Sequence, residues 1–381
     1  MSIPSYTAGE LLDALVDQED FILLDVRNSK DYNRFKIEGP YPIDMLNIVY
    51  YDFQELEDEC VALVPEGRKI RIVCAKESSA KYVAEVLSNC GYNDVSYLEG
   101  GIRTWGNLLS PVKVGTGEDY ELYQFRRPGK ASLSYVLLSG REMFVFDPSK
   151  NIAFYRQFAE DHGCTITRTF ETHRQADYIS GSDRLRRDAG AEIVAPQPDF
   201  DVARFPYTAV TDGDTFTFSD GGPTVRAIHT PGHTPGSTSY LIDDRYLISG
   251  DAVFLLSIGR PDLGGKVEEW SRLLFKTMTD KILKWDRSVI VLPGHYMDWG
   301  EARNQVFADT LENVIKNNAE IYSVQDEATF LAFIKRNMRS QPDEYARIRE
   351  INAGLLEIDE EEADVMDLGK NECAASAARA A

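Results

Sequence analysis

The chain changes character near residue 119, and its second part carries the pattern that most restricts the fold. Short apolar strands follow one another there, and each ends at a turn with a histidine or an aspartate, as in TITRTFETH, TVRAIHTPGH, RYLISGD and SVIVLPGH. Strands bounded by such turns predict a sheet-rich domain, which a helical pattern extends from about residue 302 to 350. The segment ETHRQADYISGSDRL, residues 171–185, is typical of a metal-binding motif, except that Gln175 and Tyr178 stand where further histidines are expected.

The first part of the chain alternates strands with helices. Its apolar strands are FILLDVR, KIRIVCA and VSYLEGG, and amphipathic helices such as TAGELLDALVDQ and SSAKYVAEVLSNCG lie between them. Strands spaced by helices predict a parallel α/β sheet. We therefore predict an α/β domain over 1–109, a linker over 110–118 because Pro and Gly occur there without periodicity, a second domain with its helical extension over 119–350, and a tail over 351–381.

Charge and cysteine usage restrict the partners and the compartment. The 41 basic and 62 acidic side chains give a formal net charge of −21, which repels nucleic acid and anionic membranes, so neither is expected as a partner. The N-terminal residues predict no secretory signal, and no apolar run approaches the ~18 residues of a membrane span. Five cysteines, at positions 60, 74, 90, 164 and 373, never occur in CxxC spacing, which is typical of a reducing cytoplasm.

Cys74 is the candidate nucleophile of the first domain. It follows the apolar strand IRIV and precedes the loop AKESS and a helix. Backbone N–H groups of that loop and the positive end of the helix dipole both favour the thiolate, which is the reactive form. A buried structural cysteine is the alternative. Phosphate ester chemistry of the C-x5-R kind is disfavoured, because Ala80 stands where the arginine would be.

Residues 1–109 resemble a rhodanese domain. The matching pieces are LLDVRNSKDY, the six-residue loop after Cys74 and the closing LEGGIRTWG. The resemblance implies that Cys74 carries a sulfane sulfur as a persulfide, with Lys76, Ser78 and Ser79 as donors to the substrate. Glu77 departs from the family, which usually has glycine there, and its acid would weaken anion binding in the loop.

The second domain resembles the metallo-β-lactamase superfamily, an αββα sandwich with metals at one edge. The superfamily's usual signature is His-x-His-x-Asp-His, followed by a histidine in a PGHT turn, an aspartate after a strand and a final histidine. Without histidines at 175 and 178, a binuclear zinc hydrolase is not expected. The corresponding positions in this chain are His173, Gln175, Asp177, Tyr178, His233, Asp251 and His295.

His173, His233 and Asp251 remain as two imidazoles and one carboxylate. This set binds one face of an octahedral ion, as in non-haem Fe(II) oxygenases, and leaves positions for O₂ and a sulfur substrate. Two histidines and a carboxylate also serve zinc hydrolases. The chain further resembles the persulfide dioxygenase branch of the superfamily, through the same three positions and the stretch SIGRPDLGG at 257–265.

That resemblance implies one Fe²⁺ per chain and several supporting residues. Arg260 is expected to pair with a carboxylate of the thiol substrate, and a surface salt bridge is the alternative. Around the ligands, Asp177 is expected to orient a ligand or loop amides, Tyr178 to fill the vacated pocket with its hydroxyl near the iron, and His295 to donate a hydrogen bond.

The sequence thus predicts a cytoplasmic iron-dependent persulfide dioxygenase fused to a sulfurtransferase. Its substrates would be O₂ and a small persulfide on a glutathione- or coenzyme A-type thiol, and a homo-oligomer is expected. Two alternatives stay open: a mononuclear zinc thioester hydrolase of the glyoxalase II kind, and a non-catalytic sulfur-binding protein that loads only Cys74.

Overall fold

A computed structural model describes residues 3–262, 264–338, 341–371 and 374, so Cys373 lies outside the described residues. The chain divides into two compact units. The first comprises Met1–Ser110, Arg127–Lys130 and Asp367–Lys370, and the second comprises Pro111–Arg126, Ala131–Met366 and Asn371–Ala381. Within the described ranges, none of the helices combines the length and hydropathy needed to cross a membrane.

The first unit contains a five-stranded sheet in the order β1-β5-β4-β2-β3, and every neighbouring pair is parallel. Helix α1 begins at a capping box of Thr7 and Glu10, which satisfies amide groups of its first turn. The predicted parallel α/β domain is confirmed. Its elements are β1 Ser5–Tyr6, α1 Ala8–Val16, β2 Ile22–Asp25, α2 Ser29–Arg34, β3 Asp44–Asn47, α3 Tyr50–Glu55, α4 Glu57–Ala62, β4 Ile70–Val73, α5 Glu77–Asn89, β5 Val95–Leu98 and α6 Ile102–Asn107.

The second unit contains two sheets, a seven-stranded one in the order β12-β11-β10-β9-β8-β7-β6 and a six-stranded one in the order β13-β14-β15-β16-β17-β18. Together with the helices they confirm the predicted sandwich. The strands are β6 Ser110–Thr116, β7 Glu121–Arg127, β8 Ser132–Ser139, β9 Glu142–Phe146, β10 Thr165–Phe170, β11 Glu192–Pro196, β12 Thr208–Val210, β13 Thr215–Phe216, β14 Val225–His229, β15 Thr238–Ile242, β16 Tyr246–Gly250, β17 Ile290–Pro293 and β18 Asp309–Thr310.

The helices of the second unit include the predicted C-terminal helical extension. They are α7 Ile152–Asp161, α8 Ser182–Ala189, α9 Gln197–Phe200, α10 Val267–Lys276, α11 Leu311–Asn317, α12 Ala319–Tyr322, α13 Glu327–Asn337, α14 Glu344–Asn352 and α15 Glu360–Met366, with short turns of other helix types at Thr277–Lys281, Ile282–Lys284 and Trp299–Glu301. Helix α15 lies within the predicted tail, and its Ala363 and Met366 are buried against Ile179 and Ile348. The tail is therefore in part a packed helix.

The predicted linker is wrong over most of its length, because Ser110–Thr116 form strand β6. This strand lies at the edge of the seven-stranded sheet, beside β7. An edge strand tolerates Pro111, since one side of the strand needs no ladder partner for its N–H groups. Gly115 is required by packing: a Cβ there would lie 2.1 Å from the Tyr246 hydroxyl. Pro111 and Gly115 suggest a loop in the sequence, but both fit an edge strand.

The ends of four strands bring the predicted metal-binding turns to one edge of the sandwich. Strands β16 and β17 are parallel, so their carboxyl ends coincide, and the amide of Gly294 donates to the carbonyl of Gly250 at 2.9 Å. The amide of Thr238 donates to the carbonyl of Thr172 at 2.8 Å, which joins the other sheet to this edge. The residues that follow these strand ends are His173, His233, Asp251 and His295.

Candidate metal centre

His173, His233 and Asp251 form a buried cluster whose candidate ligand atoms lie within 4.8 Å of one another. The distance from Oδ2 of Asp251 is 3.8 Å to Nε2 of His173 and 3.4 Å to Nε2 of His233. The two imidazole rings are perpendicular, with centroids 4.8 Å apart. Among the described residues this is the one group of three or more such side chains placed to hold a metal ion.

Hydrogen bonds on the far side of each ring direct the free nitrogen into the cluster. Nδ1 of His233 lies 2.9 Å from the carbonyl oxygen of Arg260, which can only accept, so Nδ1 carries the hydrogen. Nδ1 of His173 lies 2.9 Å from Oγ1 of Thr172, and that hydroxyl already donates to a carboxylate, so Nδ1 donates here too. Each Nε2 therefore presents a lone pair to the cluster.

The three candidate ligand atoms are buried and have no hydrogen-bond partner: Nε2 of His173, Nε2 of His233 and Oδ2 of Asp251. Buried polar atoms in native proteins are nearly always paired. Here two imidazole lone pairs and a carboxylate oxygen converge, and no hydrogen-bond donor reaches them. A divalent cation binds to such electron-pair donors. The residues present therefore fit a bound metal ion.

The protonation states also suit a metal. Burial lowers the pKa of His173 to about 4 and lowers that of His233, although the Asp251 charge opposes this in both. Burial alone would raise the pKa of Asp251, but His295, through its positive charge and its hydrogen bond, holds it well below its ordinary value. Neutral imidazoles and an ionised carboxylate are the forms that bind metals.

His295 lies beside the cluster rather than in it. Its Nδ1 is 2.8 Å from Oδ1 of Asp251, and its Nε2 is 2.8 Å from Oδ2 of Asp177. Burial lowers the pKa of His295, but the two carboxylates outweigh it and raise the pKa to about 10. Both ring nitrogens of His295 are therefore occupied by carboxylate oxygens. Asp177 thus orients His295, while the role predicted for Asp177, to orient a ligand histidine or loop amides, stays a prediction.

Gln175 and Tyr178 are both buried, and both contact Asp147. The side-chain amide of Gln175 bonds the Asp147 carboxylate, and the Tyr178 hydroxyl donates to the Asp147 carbonyl at 3.2 Å. The Tyr178 ring lies 6.1 Å from the His295 ring, between centroids. The sequence predicts the Tyr178 hydroxyl near the iron. In the structure this hydroxyl donates to the backbone carbonyl of Asp147, the residue that follows β9.

Two carboxylates that support the centre were not found from the sequence. Asp147 accepts from the amide of Thr172 at 2.7 Å and from its hydroxyl at 2.8 Å, and so fixes the group that orients His173. The sequence does carry a signal for Asp147: in MFVFDP it directly follows an apolar strand, as Asp251 does in LISGD.

Asp199 is the second of these carboxylates and is buried. It accepts from the amide of Arg174 at 3.1 Å, the hydroxyl of Thr234 at 2.6 Å and the amide of Gly236 at 2.8 Å. Arg174 and Thr234 directly follow the two candidate histidine ligands. One carboxylate therefore ties together the two loops that carry those ligands.

Arg260 has an internal partner. Its Nε and Nη2 each lie 2.7 Å from an oxygen of Asp262, and both side chains are buried. The backbone carbonyl of Arg260 is the acceptor for His233. The predicted contact with a substrate carboxylate stays a prediction, while the structure gives Arg260 a role in orienting a candidate ligand.

In the first unit, the loop after β4 surrounds the sulfur of Cys74. The amides of Lys76 and Ala75 and the hydroxyl of Ser79 donate to the sulfur, but burial outweighs them and raises the pKa of Cys74. The expectation that the loop favours the thiolate is therefore wrong for the free cysteine, whose side chain is 6% exposed. Lys76 and Ser78 are exposed, and of the predicted side-chain donors Ser79 reaches the sulfur.

Packing against this loop requires glycine at position 101, in the Gly100–Gly101 pair that closes the domain. Gly101 has φ +71°, and a Cβ there would lie 2.7 Å from the carbonyl oxygens of Cys74 and Ala75. Glu77, the departure from the family pattern, accepts a hydrogen bond from the amide of Gly100 at 2.8 Å. Its carboxylate thus holds the closing turn against the loop.

Comparison with known proteins agrees with both units. The model of the rhodanese-like domain matches residues 7–108, and that of the metallo-beta-lactamase superfamily matches residues 127–295. The chain therefore combines a rhodanese-like domain with a metallo-β-lactamase domain. A metallo-beta-lactamase structure from Staphylococcus aureus is 27% identical, with a TM-score of 0.56 over 63% of this chain and 74% of that one. The structure of ETHE1 from Myxococcus xanthus, 22% identical, shares the fold with a TM-score of 0.53 over 62% of this chain and 99% of that one.

Curated relatives match part of the chain. A hydroxyacylglutathione hydrolase from Rhizobium etli is 30% identical over 174 residues, which are 45% of this chain and 65% of that protein. A probable metallo-hydrolase, YqgX, from Bacillus subtilis is 28% identical over 180 residues, 42% of this chain and 83% of that protein. The chain thus spans slightly less than two thirds of the length of the first of these relatives.

Proposed function

We propose that the second domain is an iron-dependent persulfide dioxygenase. The reaction is R–S–SH + O₂ + H₂O → R–SH + SO₃²⁻ + 2H⁺, in which the sulfane sulfur loses four electrons and O₂ gains them. The observation that carries the proposal is a ligand set for one ion only. His173, His233 and Asp251 offer free atoms, whereas His295 donates through both ring nitrogens.

A single ion on this set favours redox chemistry over two-metal hydrolysis. Two imidazoles and one carboxylate occupy one face of the ion, the arrangement of mononuclear Fe(II) oxygenases. A bound Fe(II) would supply redox capacity and open coordination positions for the substrates. A binuclear hydrolase needs further imidazole ligands for its second ion, but Gln175 and Tyr178 stand at the positions where they are expected.

The protein's own groups hold this arrangement in place. Thr172 and the Arg260 carbonyl fix the tautomers of the two histidines, so no proton must leave Nε2 when a metal binds. Asp251 divides its oxygens, with Oδ1 bonded to His295 and Oδ2 directed into the cluster. The three ligand side chains are at most 1% exposed, which keeps bulk water away from a reactive persulfide.

We further propose that Cys74 carries sulfane sulfur in coupled sulfurtransfer. A Cys74 persulfide would give its outer sulfur to sulfite, as Cys–S–SH + SO₃²⁻ → Cys–SH + S₂O₃²⁻. The amides of Ala75 and Lys76 and the hydroxyl of Ser79 already converge on the sulfur position and can hold the added sulfur. The raised pKa of the free thiol keeps Cys74 protonated after transfer.

The second candidate function is a mononuclear zinc thioester hydrolase. It is supported by the relatives that are named hydroxyacylglutathione hydrolases, and the same three side chains can bind zinc. A hydrolase would act on a thioester without consuming O₂. The two functions therefore differ in the metal, in the second substrate and in the product.

Anaerobic purification followed by iron and zinc quantitation, with two assays on the same sample, separates these functions. We expect close to one iron per chain, O₂ uptake with glutathione persulfide or coenzyme A persulfide, and sulfite as product. Two tightly held zinc ions, or hydrolysis of a glutathione thioester without persulfide-dependent O₂ uptake, would overturn the dioxygenase. Persulfide loading of Cys74 with neither activity would indicate the sulfur-binding alternative.

A further inference from the structure

Arg174 directly follows the candidate ligand His173 and is half-buried. Its amide donates to Asp199 at 3.1 Å, but its Nε is buried and has no hydrogen-bond partner. Across the part of the chain that the structure describes, its guanidinium forms neither an ion pair nor a hydrogen bond. An unpaired, partly desolvated guanidinium is costly, so Arg174 is a candidate to bind an anion.

The surroundings of Arg174 differ from those of Arg260. Arg260, the arginine that the sequence indicated, is satisfied by Asp262 through two bonds of 2.7 Å. Burial and then the nearby positive charge of Arg349 lower the pKa of Arg174, while the carboxylates of Asp199 and Asp201 oppose this. The carboxylate of Asp199 is also near, but its oxygens already accept from two amides and a hydroxyl. An anion placed here would give Nε of Arg174 the hydrogen-bond partner that it lacks.

We infer that Arg174 anchors the anionic group of the thiol that carries the persulfide. The inference rests on the proposed function and names the substrate class: a thiol with a carboxylate or phosphate several bonds from its sulfur. Guanidinium binds both anions through two parallel hydrogen bonds. An extended tripeptide spans about 10 Å. A molecule of that size can place its sulfur at the ligand cluster and its anion at the residue next to His173.

The binding test uses unreactive probes, so it does not depend on catalysis. S-methylglutathione supplies carboxylates, S-methyl-coenzyme A supplies phosphates, and S-methyl-N-acetylcysteamine is the neutral reference. We expect calorimetric affinity of the metal-loaded protein for one anionic probe to fall about 10- to 100-fold in Arg174→Leu, and to recover in part in Arg174→Lys. Affinity for the neutral probe should not change. The probe that responds identifies carboxylate or phosphate as the anion.

Arg204→Leu is the matched control, because Arg204 is an exposed arginine of the same unit. Arg174→Leu should also melt at an equal or higher temperature than wild type, since it removes an unpaired charge. Equal losses for anionic and neutral probes would show a structural role and overturn the inference, as would unchanged affinity for every probe. Arg174-dependent binding in a protein without O₂ uptake would retain the anion site and reject the dioxygenase.

Discussion

Asp251 uses its two oxygens for different purposes: Oδ1 lies 2.8 Å from Nδ1 of His295, while Oδ2 faces the two candidate histidine ligands without a hydrogen-bond partner. In a two-metal site of this superfamily, the positions of Asp251, Asp177 and His295 would belong to metal ligands. Here they form a hydrogen-bonded row, Asp251–His295–Asp177. The cationic imidazole offsets one of the two carboxylate charges, so a net negative charge remains that favours binding of a cation.

The first prediction concerns Asp251. In Asp251→Asn the only anionic ligand becomes a neutral amide of similar size, so iron content after anaerobic purification and gel filtration should fall at least about tenfold. O₂ uptake should fall with it, while the circular dichroism spectrum stays that of wild type. Asp201→Asn, an exposed aspartate of the same unit, is the control. Wild-type iron content in Asp251→Asn would show that the ligand set is misassigned.

Local sequence signals predicted much of this centre, because turns after apolar strands mark candidate ligands directly. His173, His233 and Asp251 follow strand ends, and the structure brings them together. Asp199 could not be found in this way. Its three donors lie 25 to 37 residues away in sequence, and their approach depends on packing between strands. Hydrogen-bond partners across such separations leave no local pattern.

The pKa of Cys74 is a second property that the sequence could not predict. The strand, loop and helix around it were predicted, but its pKa depends on how deeply the sulfur is buried, which the sequence does not give. Ser110–Thr116 were assigned to a linker because Pro and Gly are ambiguous between loops and edge strands.

The second prediction concerns the clamp formed by Asp199. Asp199→Asn keeps the size of the side chain but replaces one acceptor oxygen with an amide nitrogen, so at least one bond to the loops after His173 and His233 is lost. Affinity for Zn²⁺ or Fe²⁺, measured by competition with a chelator, should fall about 10- to 100-fold. Asp201→Asn again serves as control. If only the melting temperature changes and metal affinity does not, Asp199 stabilises the fold without positioning the ligands.

The third prediction concerns the pair of His295 and Asp177. Removing one partner of a buried ion pair costs about 3–5 kcal/mol, because the remaining charge loses its compensation. His295→Leu should therefore lower the free energy of unfolding by about that amount in urea denaturation of the metal-free protein. The double variant Asp177→Asn, His295→Leu should recover part of the loss. Additive losses in the double-mutant cycle would show that the two side chains are not coupled.

The fourth prediction concerns the reactivity of Cys74 as a function of pH. Burial raises its pKa, so the thiolate fraction is small at neutral pH and keeps rising above the pH at which an ordinary thiol is fully ionised. Alkylation of Cys74 by iodoacetamide, followed by peptide mass spectrometry, should be slow at pH 7 and still increase above about pH 10, where a thiol with the ordinary pKa of about 8.5 is almost fully ionised. Free glutathione in the same tube is the reference. A plateau below pH 8 would contradict the burial argument.

The last prediction concerns the division of labour between the two domains. Dioxygenation requires the ligand cluster, O₂ and a small persulfide that diffuses in from solution, and all three candidate ligands lie in the second unit. Cys74→Ser is nearly isosteric but cannot form a persulfide. We expect this variant to keep its iron and its O₂ uptake with a small persulfide, because neither depends on the sulfur of the first unit. It should lose sulfur exchange between thiosulfate and cyanide, and its products should shift from thiosulfate toward sulfite.

O₂ uptake, sulfite and thiosulfate should be measured together in wild type, Cys74→Ser and the control Cys90→Ser, whose cysteine is exposed and remote in sequence from the loop. Loss of O₂ uptake in Cys74→Ser with iron intact would mean that both domains are needed for one reaction. An unchanged ratio of sulfite to thiosulfate would instead remove Cys74 from the pathway. In that case the buried, protonated thiol and the Glu77 carboxylate bonded to Gly100 would describe a loop that no longer transfers sulfur.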